Sequence, residues 1–223
     1  VIDMHSHTYA LSEGGIDQAI KNMDAVGISK TIILTKSYGA AFDSIYAAYA
    51  PYGDRFEIWC GIDYSGYDKP GYGPAAVAEL ERCYKVGARG VGELSDKGSG
   101  LDKNGNPEDK LHLNDPRLDG LLQKCAELGM AINIHVAEPI WMYLPMDEHN
   151  DGLMNAFDWR LDNKPGIIDH QGMVDILASA VRRHPNTTFI ACHYANLSYD
   201  LNQLGELLSA LPNLYVDNGA RYA

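Results

Sequence analysis

Short apolar runs rich in Val and Ile alternate along the chain with longer stretches whose apolar residues recur every three or four positions. Runs of the first kind suit strands buried on both faces, and the second kind suits amphipathic helices that cover them. Seven strands are predicted: VIDMH (1–5), TIILT (31–35), FEIWCGI (56–62), ARGVGEL (88–94), MAINIHV (130–136), TTFIACH (187–193) and NLYVDNG (213–219). Helical patterns fill the gaps: GIDQAIKNMDAVG, AAFDSIYAAYA, PAAVAELERCYKVG, PRLDGLLQKCAELG, GMVDILASAVRRHP and DLNQLGELLSAL. Several of them end in Gly or are followed by Pro, as helix C-termini often are. Strict alternation of strand and helix leaves two architectures, an open doubly wound sheet or a closed (β/α)8 barrel.

The histidines separate the two. His5 and His7 stand two residues apart at the end of the first strand, so they point to the same side, as does Asp3. His135 ends the fifth strand and His193 the sixth. Strands one, five and six need not converge in an open sheet, whereas all strand ends of a closed barrel ring one mouth. The expectation is an α/β fold of the (β/α)8 TIM type, one domain over residues 1–223. The sequence ends after the seventh strand, so the eighth strand–helix unit is expected to lie outside it.

Two stretches interrupt the alternation. SDKGSGLDKNGNPEDKLHLND, after the fourth strand, has the Gly, Asn, Asp and Pro content of a loop. Residues 138–168 follow the fifth strand directly, and a loop of this length is uncommon unless it works as a lid or binding wall. Its Trp141, Tyr143, Phe157 and Trp159 offer an apolar wall over the mouth; a small subdomain packed on the rim is the alternative.

The 223 residues, 46% of them hydrophobic, are enough for one sizeable core. A formal net charge of −12 repels a nucleic-acid backbone. Cys60, Cys83, Cys125 and Cys192 are far apart, with no CxxC pair, and read as reduced, buried thiols. No apolar run reaches the length of a membrane span. The expected partner is a small-molecule substrate, with no nucleic acid and no membrane, and a homo-oligomer is compatible with the sequence. The chain begins at Val1 on an apparent core strand, so the compartment stays open: cytoplasmic by default, with secreted or periplasmic alternatives.

The stretches DMHSH (3–7), NIHVAE (133–138) and ACHYAN (191–196), taken in order over the whole chain, resemble the amidohydrolase superfamily. The resemblance is greatest to its amidohydrolase-related branch, which contains the decarboxylases of the aminocarboxymuconate-semialdehyde type. It implies that His5, His7 and His135 bind a divalent metal, usually zinc, and that His193 either binds a second ion or holds the attacking water. Three neutral nitrogen ligands leave positions open on Zn²⁺, and the ion lowers the pKa of bound water to about 7. The family's aspartate base ends the eighth strand, beyond the ARYA at which this sequence stops. Asp217 lies on the seventh strand by count, so equating it with that aspartate would misregister the barrel. Glu93 ends the fourth strand, where some superfamily members carry a bridging anion, so one ion is expected, or two if Glu93 bridges; a merely solvated Glu93 is the alternative. Asp3 is a candidate partner for a ligating imidazole. Trp141, Arg160 and Arg221 are the candidate substrate-binding residues. His112, His149, His170 and His184 are expected in solvated or capping positions.

The function so implied is a metal-dependent hydrolase that turns a metal-activated water on an amide, ester or lactone. Two alternatives remain: non-oxidative decarboxylation of an aromatic or unsaturated carboxylic acid, and a non-catalytic barrel that only binds metal or ligand.

Overall fold

The computed structural model describes residues 1–12, 14–150, 152 and 157–220. Its regular elements are β1 (Ile2–Ser6), α1 (Gly15–Ala25), β2 (Lys30–Leu34), α2 (Gly39–Tyr49), β3 (Phe56–Trp59), α3 (Pro74–Val86) and β4 (Gly90–Asp96). They continue with α4 (Asp119–Leu128), β5 (Ala131–Val136), α5 (His170–Arg183), β6 (Phe189–Ala191), α6 (Leu201–Ala210) and β7 (Leu214–Val216). Each expected strand and helix is present, with ends displaced by a few residues. The strands pair in parallel, β1–β2–β3 and β4–β5–β6–β7, and a parallel bridge between Cys60 and Val91 joins the two sets.

Alternation along the strands shows that this sheet curls on itself. Ile33 of β2 belongs to the large core packed between strands and helices, whereas its neighbours Ile32 and Leu34 cluster with Trp59 of β3 and Ile190 of β6. Consecutive strand residues face opposite sides, so one face of β2 meets the helices and the other looks inward. Side chains from β2 and β6 meet on that inner side only if the sheet closes toward a barrel. The outer layer is held by helix stripes: Met173, Leu177, Ala180 and Val181 of α5, and Leu121, Leu122 and Cys125 of α4, all essentially without solvent exposure. Asp169 and Asp200 cap the N-termini of α5 and α6 through their carboxylates. All four cysteines are buried and free. Among the described residues no helix is long and apolar enough to cross a membrane.

The inner cluster depends on a missing side chain. A Cβ built on Gly90 would lie 2.2 Å from the indole of Trp59, a ring that is itself buried. Gly90→Ala should therefore destabilise the barrel by about 1–3 kcal/mol, the usual cost of overpacking, seen as a lowered denaturation midpoint. An unchanged midpoint would show that Trp59 can move aside.

Strands β1 and β7 are not paired with each other; between them lies a groove of about 570 Å³ edged by Ile2, Met4 and Tyr215. Side chains bridge it at the mouth, where Asp217 meets His5. The loop after β4 hangs on a buried carboxylate. Asp96 accepts hydrogen bonds from the N–H groups of Gly98 and Gly100, both at 3.0 Å, and pairs with His112 Nδ1 at 2.7 Å. His112 is thus a structural anchor rather than a solvated loop residue. His170 also departs from expectation: it is buried, and its Nε2–H donates to the carbonyl of Asn196 at 3.0 Å.

Candidate active site

Four imidazoles gather at the C-terminal mouth. The ring centroids of His5 and His193 lie 4.9 Å apart, those of His135 and His193 4.7 Å, and those of His5 and His7 5.3 Å. His5 stands on β1 itself, whereas His7 follows its end. His193 lies beyond the strand that was expected to carry it. β6 ends at Ala191, and His193, Tyr194 and Ala195 have left-handed φ values of 59°, 57° and 54°. Asp217, just past β7, holds this turn: its Oδ1 accepts from the N–H of His193 at 2.9 Å, and its carbonyl accepts from the N–H of Tyr194 at 2.8 Å. Such backbone is costly away from glycine and persists where its surroundings over-determine it.

The ring partners define where lone pairs point. His7 Nδ1–H donates to the carbonyl of Leu34 at 2.9 Å and His193 Nδ1–H to the carbonyl of Gly219 at 2.6 Å. His5 Nδ1–H donates to Asp217 Oδ2 at 2.8 Å. Carbonyl and carboxylate oxygens only accept, so Nδ1 carries the proton in each and Nε2 is left bare when the ring is neutral. All three Nε2 atoms face the buried carboxylate of Glu93, at 3.9, 3.6 and 3.9 Å for His5, His7 and His193. His135 comes closer, its Nδ1 3.0 Å from Glu93 Oε1 and its Nε2 3.3 Å from Glu138 Oε2.

Lone pairs aimed at a carboxylate repel it unless a cation lies between them. Lys36 supplies one such charge, its Nζ 2.5 Å from Glu93 Oε2. The nitrogen and oxygen donors otherwise fit a divalent ion: His5, His7 and Glu93 form one group, Glu93, His135 and His193 another, each with its ligand atoms within 4.8 Å. A third group, His5, His193 and Asp217, meets the same measure, but Asp217 faces the protonated side of His5. Asp217 also accepts from Asn133 Nδ2 at 3.3 Å and from the N–H of Gly219 at 3.0 Å. It orients the His5 ring, the task suggested for Asp3, whose Oδ1 instead accepts from the backbone N–H of His5.

Titration follows from these contacts. Burial alone would raise Glu93, but its hydrogen bonds with His135 and Lys36 hold it well below the usual carboxylate range. Asp217 is likewise lowered, the bond from His5 and the N–H of His193 outweighing burial. Burial, with the neighbouring charge of His135, lowers His193 to about 4, so it is neutral at pH 7. Burial also lowers His7. His135 is raised, since bonds to Glu138 and Glu93 outweigh burial.

Beside the histidines opens a cavity of about 560 Å³ whose floor includes His135 and His193. Its lining includes Met142, Trp159, Leu161 and Lys164. Two residues singled out from sequence lie elsewhere. Trp141 packs on Gly152, where a Cβ would come within 2.1 Å of the indole. Arg160 is paired with Asp162 at 2.5 Å and lies over the Phe157 ring. Arg221 falls outside the described residues.

A family model described as amidohydrolase matches residues 2–223. The chain belongs to the amidohydrolase family. Solved structures agree on the fold. An amidohydrolase structure from Staphylococcus aureus is 17% identical, with a TM-score of 0.63 over 97% of this chain and 78% of its own. A 2,6-dihydroxybenzoate decarboxylase from Rhizobium is 18% identical, with a TM-score of 0.62 over 100% and 80%. A 5-carboxyvanillate decarboxylase from Novosphingobium aromaticivorans, complexed with manganese and a nitrobenzoic acid, is 17% identical, with a TM-score of 0.52 over 86% and 53%. No curated protein matches the chain. The amidohydrolase assignment makes the curled sheet a TIM-type barrel.

Within this amidohydrolase mouth, Lys36 and Lys97 are residues that the motif reading did not name, and Glu138, the last residue of NIHVAE, was given no role by it. Lys97 ion-pairs with Glu138, and Tyr143 ties the two loops together, its hydroxyl donating to the carbonyl of Lys97 and accepting from the N–H of Glu138. Lys36 and Lys97 each follow the end of a strand, so the rule that found the histidines applies to them too.

Proposed function

We propose that this amidohydrolase is a metal-dependent hydrolase of small organic substrates with an amide, ester or lactone bond. The observation that carries the reading is the convergence of His5, His7, His135 and His193 on buried Glu93 beside a cavity of substrate size. His5, His7, His135 and Glu93 would hold one divalent ion, zinc by the donor set, or two if Glu93 bridges. When bound, such an ion polarises a carbonyl oxygen and makes water a better nucleophile at neutral pH.

The protein's own groups supply the rest. Asp217 and the Leu34 carbonyl fix the rings of His5 and His7. The Gly219 carbonyl fixes His193, leaving its Nε2 as the one ring nitrogen free to accept a proton from the attacking water or to steady charge at the reacting centre. Neutral His193 at pH 7 suits the accepting role. The cavity wall excludes bulk water and gives the substrate apolar surface.

Decarboxylation of an aromatic or unsaturated acid is the second reading, favoured by the two decarboxylases of the same fold. Metal-loaded protein assayed against lactones, esters and amides, in parallel with benzoate-type acids, separates them. Hydrolysis products without CO₂ support the proposal, and CO₂ release from the acids replaces it with the second reading. Metal and ligand binding without turnover leaves a non-catalytic barrel.

A further inference from the structure

Trp159 and Lys164 border the cavity, and among the described residues no ion pair, hydrogen bond or ring contact is made by either side chain. Trp159 is 69% exposed, far more than Met142 and Leu161 beside it. Lys164 is exposed and has no ion pair among the described residues, although the chain carries 30 acidic residues against 18 basic ones. Lys97, at the same cavity, is already neutralised by Glu138. Asp158 also lies on the rim and is exposed.

An indole this exposed over a cavity is surface that a flat ligand can cover, and an unpaired ammonium beside it selects an anion. We propose that Trp159 and Lys164 form an anchoring subsite for a carboxylate borne on a flat or unsaturated carbon skeleton, away from the bond that reacts above the histidines. The inference deepens the proposed function and rests on its assignment of this cavity to the substrate. The charge of Asp158 makes a single carboxylate at the subsite better suited than a polyanion.

Isothermal titration calorimetry with benzoate and its neutral counterpart benzamide tests this without any turnover, on metal-loaded and metal-depleted protein. Benzoate should bind more tightly than benzamide in both forms. Lys164→Met should weaken benzoate about fivefold, the upper range for an exposed ion pair, and leave benzamide unchanged. Lys164→Glu should weaken it further, and Trp159→Ala should weaken both probes. Both positions are exposed enough that melting curves of the three variants should match the parent. Equal affinity for the two probes, or benzoate binding insensitive to Lys164, overturns the subsite. Benzoate binding that vanishes with the metal yet ignores Lys164→Met also overturns it, by placing the carboxylate on the ion. Lys164-dependent binding in a protein that hydrolyses nothing would sink the hydrolase reading and leave the subsite standing.

Discussion

Replacing His5 and His7 together by Ala should abolish divalent-ion binding and lower kcat/KM by about a thousandfold or more, about 4 kcal/mol of transition-state stabilisation. Both rings are held from behind, by Asp217 and by the Leu34 carbonyl, and both present Nε2 to Glu93. Their removal deletes two prearranged donors at once. The fold should survive. Asp217 keeps three of its donors, from Asn133, His193 and Gly219, and neither histidine belongs to the apolar core. A loss of about 1–3 kcal/mol, the cost of one lost partner at a buried polar group, is the expected limit. Elemental analysis and a melting curve on the same preparation read both effects. Full metal retention in a folded double variant would place the ion elsewhere.

Glu93→Gln should have the next largest effect. Glu93 is the shared neighbour of four histidines and Lys36, and it is buried. The amide keeps the shape of the side chain and removes the negative charge, which is the component that offsets a cation, or two cations side by side. If two ions bind, stoichiometry should fall from two toward one. If one binds, its dissociation constant should rise by at least about tenfold, roughly 1.4 kcal/mol. Lys36 then loses its anionic partner as well, so the melting temperature of the metal-free protein reports a separate, smaller change. Unchanged stoichiometry and affinity would make Glu93 a bystander whose partner is Lys36 alone.

Of the residues of the 138–168 segment expected to form an apolar wall, Trp159 lines the cavity beside the histidines and Trp141 does not. Trp141 and Arg160 are as aromatic and as basic as Trp159 and Lys164. Trp141 is turned onto Gly152, eleven positions along, and Arg160 is neutralised two positions along by Asp162. In an irregular segment no period assigns side chains to faces, so packing chooses which of two equivalent residues borders the cavity.

Among the described residues, the strands β1–β7, the helices α1–α6 and the convergence of His5, His7, His135 and His193 were all legible along the chain. Burial alternates with a period written in neighbouring residues, and a barrel brings every strand end to one mouth. Closure itself left only a shared trace, in that Ile32 and Leu34 must meet Ile190 across the interior. Three features arose from contacts remote in sequence. The left-handed turn that aims His193 is held by Asp217, 24 residues away. The proton on each Nδ1 is set by Asp217, Leu34 and Gly219, none adjacent to the ring it serves. Lys36 reaches Glu93 only because the chain just past β2 runs beside the middle of β4, the N–H of Lys36 donating to the carbonyl of Gly92. Periodicity specifies which way a residue faces in a regular element; the lone pair, charge or proton that it meets there belongs to other elements, and only their packing brings the two together.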